Sequence, residues 1–247
     1  MRFDVITLFP EMITDAAHYG VVGRALDREI VSLQTWNPRD FTEDRHRTVD
    51  DRSYGGGPGM VMMYPPLQKT LAQVKSLVSR EQSRVVYLSP QGKPINQALI
   101  LEACKLEQLV LLAGRYEGID ERLIEDEVDE EWSLGDFVIS GGELGALVVM
   151  DAITRLLPGV LGDAESALQD SYMNGLLDCP HYTRPEVVNN KPVPEVLLSG
   201  NHAKIARWRE QQALGRTWLR RPDLLDRIEL NAEQEALLDE FKINKES

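Results

Sequence analysis

Short apolar runs of strand length alternate with helix-period segments through the first 157 residues, and this alternation leaves few architectures open. "FDVITLF" (3–9), "VSLQTW" (31–36), "SRVVYLS" (83–89) and "QLVLLAG" (108–114) read as strands. Glu11 to Ala17, "GVVGRALDREI", "PPLQKTLAQVKSLV", a helix within "PQGKPINQALILEACK", and "IDERLIEDEV" read as the helices between them. Such an order predicts an α/β layer with a mostly parallel sheet, because parallel neighbours need a crossover connection. "SLGDFVISGGE" (133–143) reads as a further strand, Phe137-Val138-Ile139, ending in a Gly141-Gly142 turn. The apolar run Leu144 to Leu157 then reads as a helix. "NPRDFTEDRHRTVDDRSYGGGPGMVM" keeps no period, and its glycine core predicts a sharply turned loop.

Beyond Pro158 the pattern changes. The predicted order is an α/β domain over 1–160, a linker over 161–174 and a helical C-terminal domain over 175–247, with helices at 201–221 and 223–241. A hydrophobic fraction of 43% is enough for a core, and no apolar run approaches the roughly 20 residues of a membrane span. The start has early acids and no cleavable apolar core, which predicts a cytoplasmic protein. Cys104 and Cys179 are too few for a disulfide framework or a four-thiolate zinc site.

The net charge of −13 argues against a general nucleic-acid coat, but charge distribution matters more than the total. "HAKIARWREQQALGRTWLRR" (202–221) carries six Lys and Arg against Glu210 alone. Its Arg residues suit phosphate contacts. Trp208 and Trp218 suit either base stacking or the core of the helical module, and the core is the commoner role.

Three loops follow predicted strands: "YLSPQGKP" (87–94), "LLAGRYEGID" (111–120) and "SLGDFVISGGE". Ligands of open α/β sheets bind outside the carboxyl ends of the strands. Each loop alone is an ordinary strand-to-helix turn; three together outline a pocket walled by backbone. None carries a P-loop or dinucleotide fingerprint, and the acids Asp136, Glu143 and "EDEVDEE" disfavour a phosphate. A cationic nucleoside without phosphate, S-adenosylmethionine, fits that chemistry. Cys179-Pro180-His181 lacks a second ligand pair at zinc-finger spacing, so no metal site is predicted.

"SPQGKP", "LLAGRYEGIDER", "SLGDFVISGGE", "DAITRLLPGV" and "DSYMNGLLDCPHYTRP" occur in this order. Together with "FDVITLFPEM" and "DDRSYGGGPGM", they make nearly the whole chain resemble the bacterial tRNA (guanine-N1)-methyltransferase family. Phe137 stands where an aromatic, often Tyr, is usual in that family. The resemblance implies a SPOUT-type fold with a deep trefoil knot and a homodimer with its active site at the subunit interface. It implies S-adenosylmethionine held by Leu88, Ser89 and Pro90, by Gly114 and Glu117, and by Leu134, Gly135, Asp136, Phe137, Val138, Ile139, Gly141 and Gly142. The glycines would let backbone approach the ligand closely.

By the same resemblance, Asp170 is the general base and Arg155 the cation stabilising guanine O6, contributed by different subunits. Taken alone, Asp170 would be a cap or turn residue and Arg155 a solvated helix-end residue. Asp51, Arg52, Arg115 and His181 are implied in substrate contact. The implied reaction is methylation of guanosine 37 of tRNA, read through the anticodon stem-loop, with guanosine preferred at 36. The linker would become ordered on tRNA. Mg²⁺ is implied to assist, at a site no ligand cluster marks. Two readings compete: a sibling SPOUT methyltransferase with another target atom, and a non-catalytic RNA-binding protein. A metal-dependent phosphodiesterase built on "DRHRTVDDRSYGGG" is weaker still.

Overall fold

The computed structural model describes residues 1–162, 167 and 169–246, and the chain divides into two compact units, Met1–Gly162 and Asp163–Ser247. The first unit is built on five parallel strands in the order β2-β1-β6-β5-β7. These are β1 (Arg2–Ile6), β2 (Ser32–Trp36), β5 (Ser83–Pro94), β6 (Gln108–Leu112) and β7 (Glu130–Ser133). Helices α1 (Pro10–Ala17), α2 (Gly20–Asp27), α3 (Tyr64–Lys75), α4 (Gln97–Ala103), α5 (Glu121–Glu127) and α6 (Glu143–Thr154) complete the layers.

Central β6 is buried at all five positions, as befits a parallel strand covered on both faces. The period of two sends Phe3, Val5, Val86, Leu109 and Leu111 to a core shared with α1, α2, α4 and α6. Ile6, Val85, Tyr87, Val110 and Leu112 face the opposite core, closed by α3 and α5. One carboxylate pins the sheet's middle. Buried Asp4 accepts hydrogen bonds from Arg2 Nε (2.6 Å) and Nη2 (2.7 Å), Trp36 Nε1 (2.7 Å) and Gln108 Nε2 (2.7 Å). It therefore ties β1 to both neighbouring strands.

Two local expectations need correction. Phe137-Val138-Ile139 is not a strand: β7 ends at Ser133, and residues 134–141 form an irregular loop. Ser133 Oγ accepts from the Gly135 N–H and donates to the Gly135 carbonyl, both at 3.1 Å. Gly135 sits at φ 144°, a conformation that side-chain-bearing residues rarely adopt, and the chain turns off the sheet there. Conversely, "QGKP" is not loop. Beyond a bulge, β5 continues and pairs Lys93 with Trp132 and Pro94 with Ser133. The aperiodic stretch contains a small antiparallel pair, β3 (Asp50–Asp51) and β4 (Val61–Met62).

Glu130 locks that β5–β7 edge. Burial opposes ionisation, but Lys93, Trp132 Nε1 (2.8 Å) and Arg84 together hold its carboxyl below the usual range. A depressed carboxyl contributes stability above its unfolded value, about 4.3, and loses it as pH falls through the folded value. Thermal melts of wild type and Glu130→Gln should therefore differ most at neutral pH. The gap should narrow as pH falls below the unfolded value of about 4.3 and close once pH is below the depressed folded value.

Among its described residues the second unit holds a hairpin, β8 (Val187–Val188) with β9 (Lys191–Pro192), and the helices α7 (Glu195–Leu198), α8 (His202–Arg220), α9 (Pro222–Leu225) and α10 (Ala232–Glu246). Its core joins Leu176, Leu214, Leu237 and Leu238, with Trp218 packed against them. The single helix expected over 223–241 is instead two. Asn231 Oδ1 accepts from the Gln234 N–H (2.9 Å) while Gln234 Oε1 accepts from the Asn231 N–H (3.1 Å), a reciprocal cap that starts α10 afresh. The linker expected over 161–174 lies partly outside the described residues, at 163–166 and 168.

Candidate functional site

A cavity of about 210 Å³ opens at the bulge of β5 and the carboxyl ends of β6 and β7. β5 pairs Tyr87 with Leu112 of β6 and Leu88 with Trp132 of β7, so the bulge that follows Leu88 in β5 stands level with the ends of β6 and β7. Leu88, Ser89 and Pro90 form one wall, Gly114 and Glu117 a second, and Leu134, Phe137, Val138, Ile139, Gly141 and Gly142 the third. Gly135 and Asp136 belong to the same loop but do not line the cavity; Gly135 makes the turn and Asp136 is exposed. Phe137 and Val138 are 57% and 84% exposed, so apolar side chains stand at the mouth.

The glycine turn also packs closely on the loop after β6. A Cβ on Gly141 would lie 2.2 Å from Arg115 Nε, and one on Gly142 would lie 2.6 Å from Ala113 Cα. The bare faces of both glycines are thus occupied by the protein's own loop after β6. The Gly142 N–H donates to the Gly114 carbonyl at 3.0 Å and closes the two walls on each other.

Arg115, expected to contact substrate, is the one cation among the described lining residues. It pairs with Glu143 through Nη2 and Oε2 at 2.9 Å, so the cavity offers no uncompensated positive charge for a polyphosphate. Glu117 adds a carboxylate to the lining. Tyr116, between them, has φ 61°, a strained backbone of the kind that persists where the surroundings over-determine a functional loop. Tyr87 and Trp132, missed by the sequence reasoning, also line the cavity. Burial, then Glu131 and Glu121, push the Tyr87 hydroxyl up to about 12, so it remains a neutral donor.

The remaining candidates lie elsewhere. Asp51 is exposed on β3 and accepts from the Arg52 N–H at 2.7 Å. Arg52 lines a separate depression with Ser53, Gly56, Gly57, Gly59 and Met60. Arg155 ends α6 in the first unit, its N–H donating to the Asp151 carbonyl at 3.1 Å. Asp170 is in the second unit, where it shares the wall of one cavity with Asn174, Asp178, His181 and Arg209. His181 Nε2 meets Asp178 Oδ2 at 2.8 Å. The ligand-capable atoms of Asp178, Cys179 and His181 lie within 4.8 Å of one another, a grouping that spacing alone discounted. Burial and then Asp178 raise the Cys179 thiol, which keeps it protonated and a poor ligand.

On α8, Lys204, Arg207 and Arg209 are exposed, although Arg207 is paired with Glu240 at 2.7 Å. Trp218 packs on the unit's core, whereas Trp208 lies 6.3 Å from the Tyr182 ring centroid. No helix among the described residues is long and apolar enough to cross a membrane.

Comparison with known proteins adds chemistry to this geometry. The profile of the family described as "tRNA (Guanine-1)-methyltransferase TrmD" matches residues 1–227. A protein of Methylococcus capsulatus named "tRNA (guanine-N(1)-)-methyltransferase" is 64% identical over 242 residues, covering 98% of this chain and 96% of that one. Proteins of the same name from Nitrosospira multiformis (61% over 246 residues, 97% and 96% covered) and Photobacterium profundum (58% over 241 residues, 98% and 96%) are similar in the same way.

Proposed function

Since the chain belongs to the tRNA (guanine-1)-methyltransferase family, we propose that it methylates N1 of guanosine 37 in tRNA, preferring guanosine at 36, with S-adenosylmethionine as donor. The observation that carries this reading is the cavity at the bulge of β5 and the ends of β6 and β7. Its lining mixes glycines with aromatic and aliphatic side chains, the one cation among the described lining residues is paired with Glu143, and Glu117 adds negative charge. That donor set suits a sulfonium-bearing nucleoside and disfavours a polyphosphate. Bound there, S-adenosylmethionine supplies an electrophilic methyl group.

The chain's own residues have two tasks. Guanine N1 carries a proton, so its lone pair is not available until a base removes that proton. Asp170 takes it as the N1–methyl bond forms. Deprotonation builds negative charge on O6, which Arg155 stabilises. We assign these two groups to different subunits of a homodimer, with the C-terminal unit gripping the anticodon stem-loop through α8. Asp51, Arg52, Arg115 and His181 are assigned to substrate contact. The first unit is assigned the SPOUT-type knotted topology.

A divalent ion is not placed. Mg²⁺ prefers all-oxygen octahedral sites, and the mixed Asp178, Cys179 and His181 set does not fit it. The direct test is nucleoside analysis of a G36-G37 tRNA transcript after incubation with the protein and labelled S-adenosylmethionine. Label in 1-methylguanosine supports the reading, and label in any other nucleoside overturns it in favour of a sibling methyltransferase.

A further inference from the structure

Glu143 is 1% exposed, in the first turn of α6 just behind the glycine turn. The helix N-terminus favours a carboxylate there, but other contacts give this one a direction. Thr7, fully buried just past the end of β1 and 136 positions away, donates its hydroxyl to Glu143 Oε1 at 2.8 Å. Thr7 Oγ1 also accepts the Phe9 N–H at 2.9 Å, and the Phe9 ring lies 4.5 Å beneath the Arg115 guanidinium. Arg115 in turn donates from Nη1 to the Ser140 carbonyl at 3.2 Å, in the cavity's third wall. The guanidinium is therefore caught between a carboxylate, an aromatic face and the bare face of Gly141. Its 2.9 Å pairing with Glu143 is off the line of a hydrogen bond, and Arg115 Nε and Glu143 Oε2 have no hydrogen-bond partner among the described residues. Charge and packing, more than hydrogen bonding, hold the pair together.

We infer that Glu143 is a positioning residue for the proposed methyl transfer: fixed by Thr7, it sets Arg115, and through Arg115 the Ser140 carbonyl and the glycine wall. This rests on the assignment of the cavity to S-adenosylmethionine. Glu143→Gln is nearly isosteric and keeps the acceptor for Thr7, but it turns an amide donor toward Arg115. The pair loses its charge balance with little loss of packing volume.

The test has two readouts. In the protein alone, hydrogen exchange of the Gly142 amide, which is bonded to Gly114, should quicken in Glu143→Gln and in Arg115→Lys. In methyl transfer to a tRNA transcript, Glu143→Gln should be slower by roughly tenfold, and the double variant should match Arg115→Lys to within about twofold. A general loss of packing would instead make the two effects multiply. Should Glu143→Gln fail to fold, Thr7→Val removes the same anchor and should quicken Gly142 exchange in the same direction. Unchanged exchange with an unchanged rate, or multiplying effects, overturns the inference. A wild-type protein that binds no S-adenosylmethionine would defeat the functional assignment alone, because the exchange readout would still decide what Glu143 holds in place.

Discussion

An Asp170→Asn protein is expected to bind S-adenosylmethionine as the wild type does and to transfer methyl groups roughly 10²–10⁴-fold more slowly. Asparagine keeps the size of the side chain and most of its hydrogen bonding but cannot accept a proton. Asp170 is not among the residues that wall the β5–β6–β7 cavity, so the substitution alters none of the proposed cofactor contacts. Arg155→Ala is expected to be slow for the other reason, the loss of charge stabilisation at O6. Because the two groups are assigned to different subunits, mixing the two inactive proteins should regenerate activity. Each heterodimer would then hold one site with both groups intact and one with neither. A mixture as inactive as its components would contradict the two-subunit assignment, and full turnover by Asp170→Asn would remove its role as base.

Gly142→Ala should be the most damaging single methyl group in the cavity. Its Cβ would lie 2.6 Å from Ala113 Cα and 3.2 Å from Ala113 C, and backbone atoms at the end of a central strand cannot swing aside as a flexible side chain would. The turn must move, and the Gly142–Gly114 hydrogen bond at 3.0 Å goes with it. Overpacking of this kind costs about 1–3 kcal/mol. Since the shift falls on two walls at once, cofactor affinity should fall at least about tenfold, as a loss of roughly 1.4 kcal/mol implies. Gly162→Ala is the control: nothing among the described residues lies within 4 Å of its added methyl, and both stability and binding should stay at wild-type values. Thermal melts with equilibrium cofactor binding measure both quantities. Wild-type affinity in Gly142→Ala would mean that the turn yields in a way the packing against Ala113 does not suggest.

The layered α/β architecture was legible because burial imposes apolar runs or a period on the longer strands and helices of the first unit. Where no period exists the sequence is silent, as at the two-residue strands Asp50–Asp51 and Val61–Met62. Phe137-Val138-Ile139 misled for a specific reason. An apolar triplet beside a glycine pair looks like a buried strand, yet these side chains stand at the mouth of a cavity, with Val138 84% exposed. The break between α9 and α10 was readable in principle, since Asn231 followed by Gln234 is a capping signature.

The walls of the cavity were partly legible from the glycines that follow strands. Tyr87 and Trp132 were not, because a strand's last buried residues look like core until the loops are placed around them. The Thr7–Glu143–Arg115 chain joins residues too far apart in sequence for any local pattern to signal it. Asp170 and Arg155 carry no local mark of function at all; only resemblance singled them out.

The most direct measurement of the central claim is methyl transfer from labelled S-adenosylmethionine to two unmodified tRNA transcripts that differ at one base, G36-G37 against G36-A37. Label on the first alone, recovered as 1-methylguanosine, is the predicted result. Equal label on both, or none on either with cofactor binding and divalent ion supplied, would contradict it.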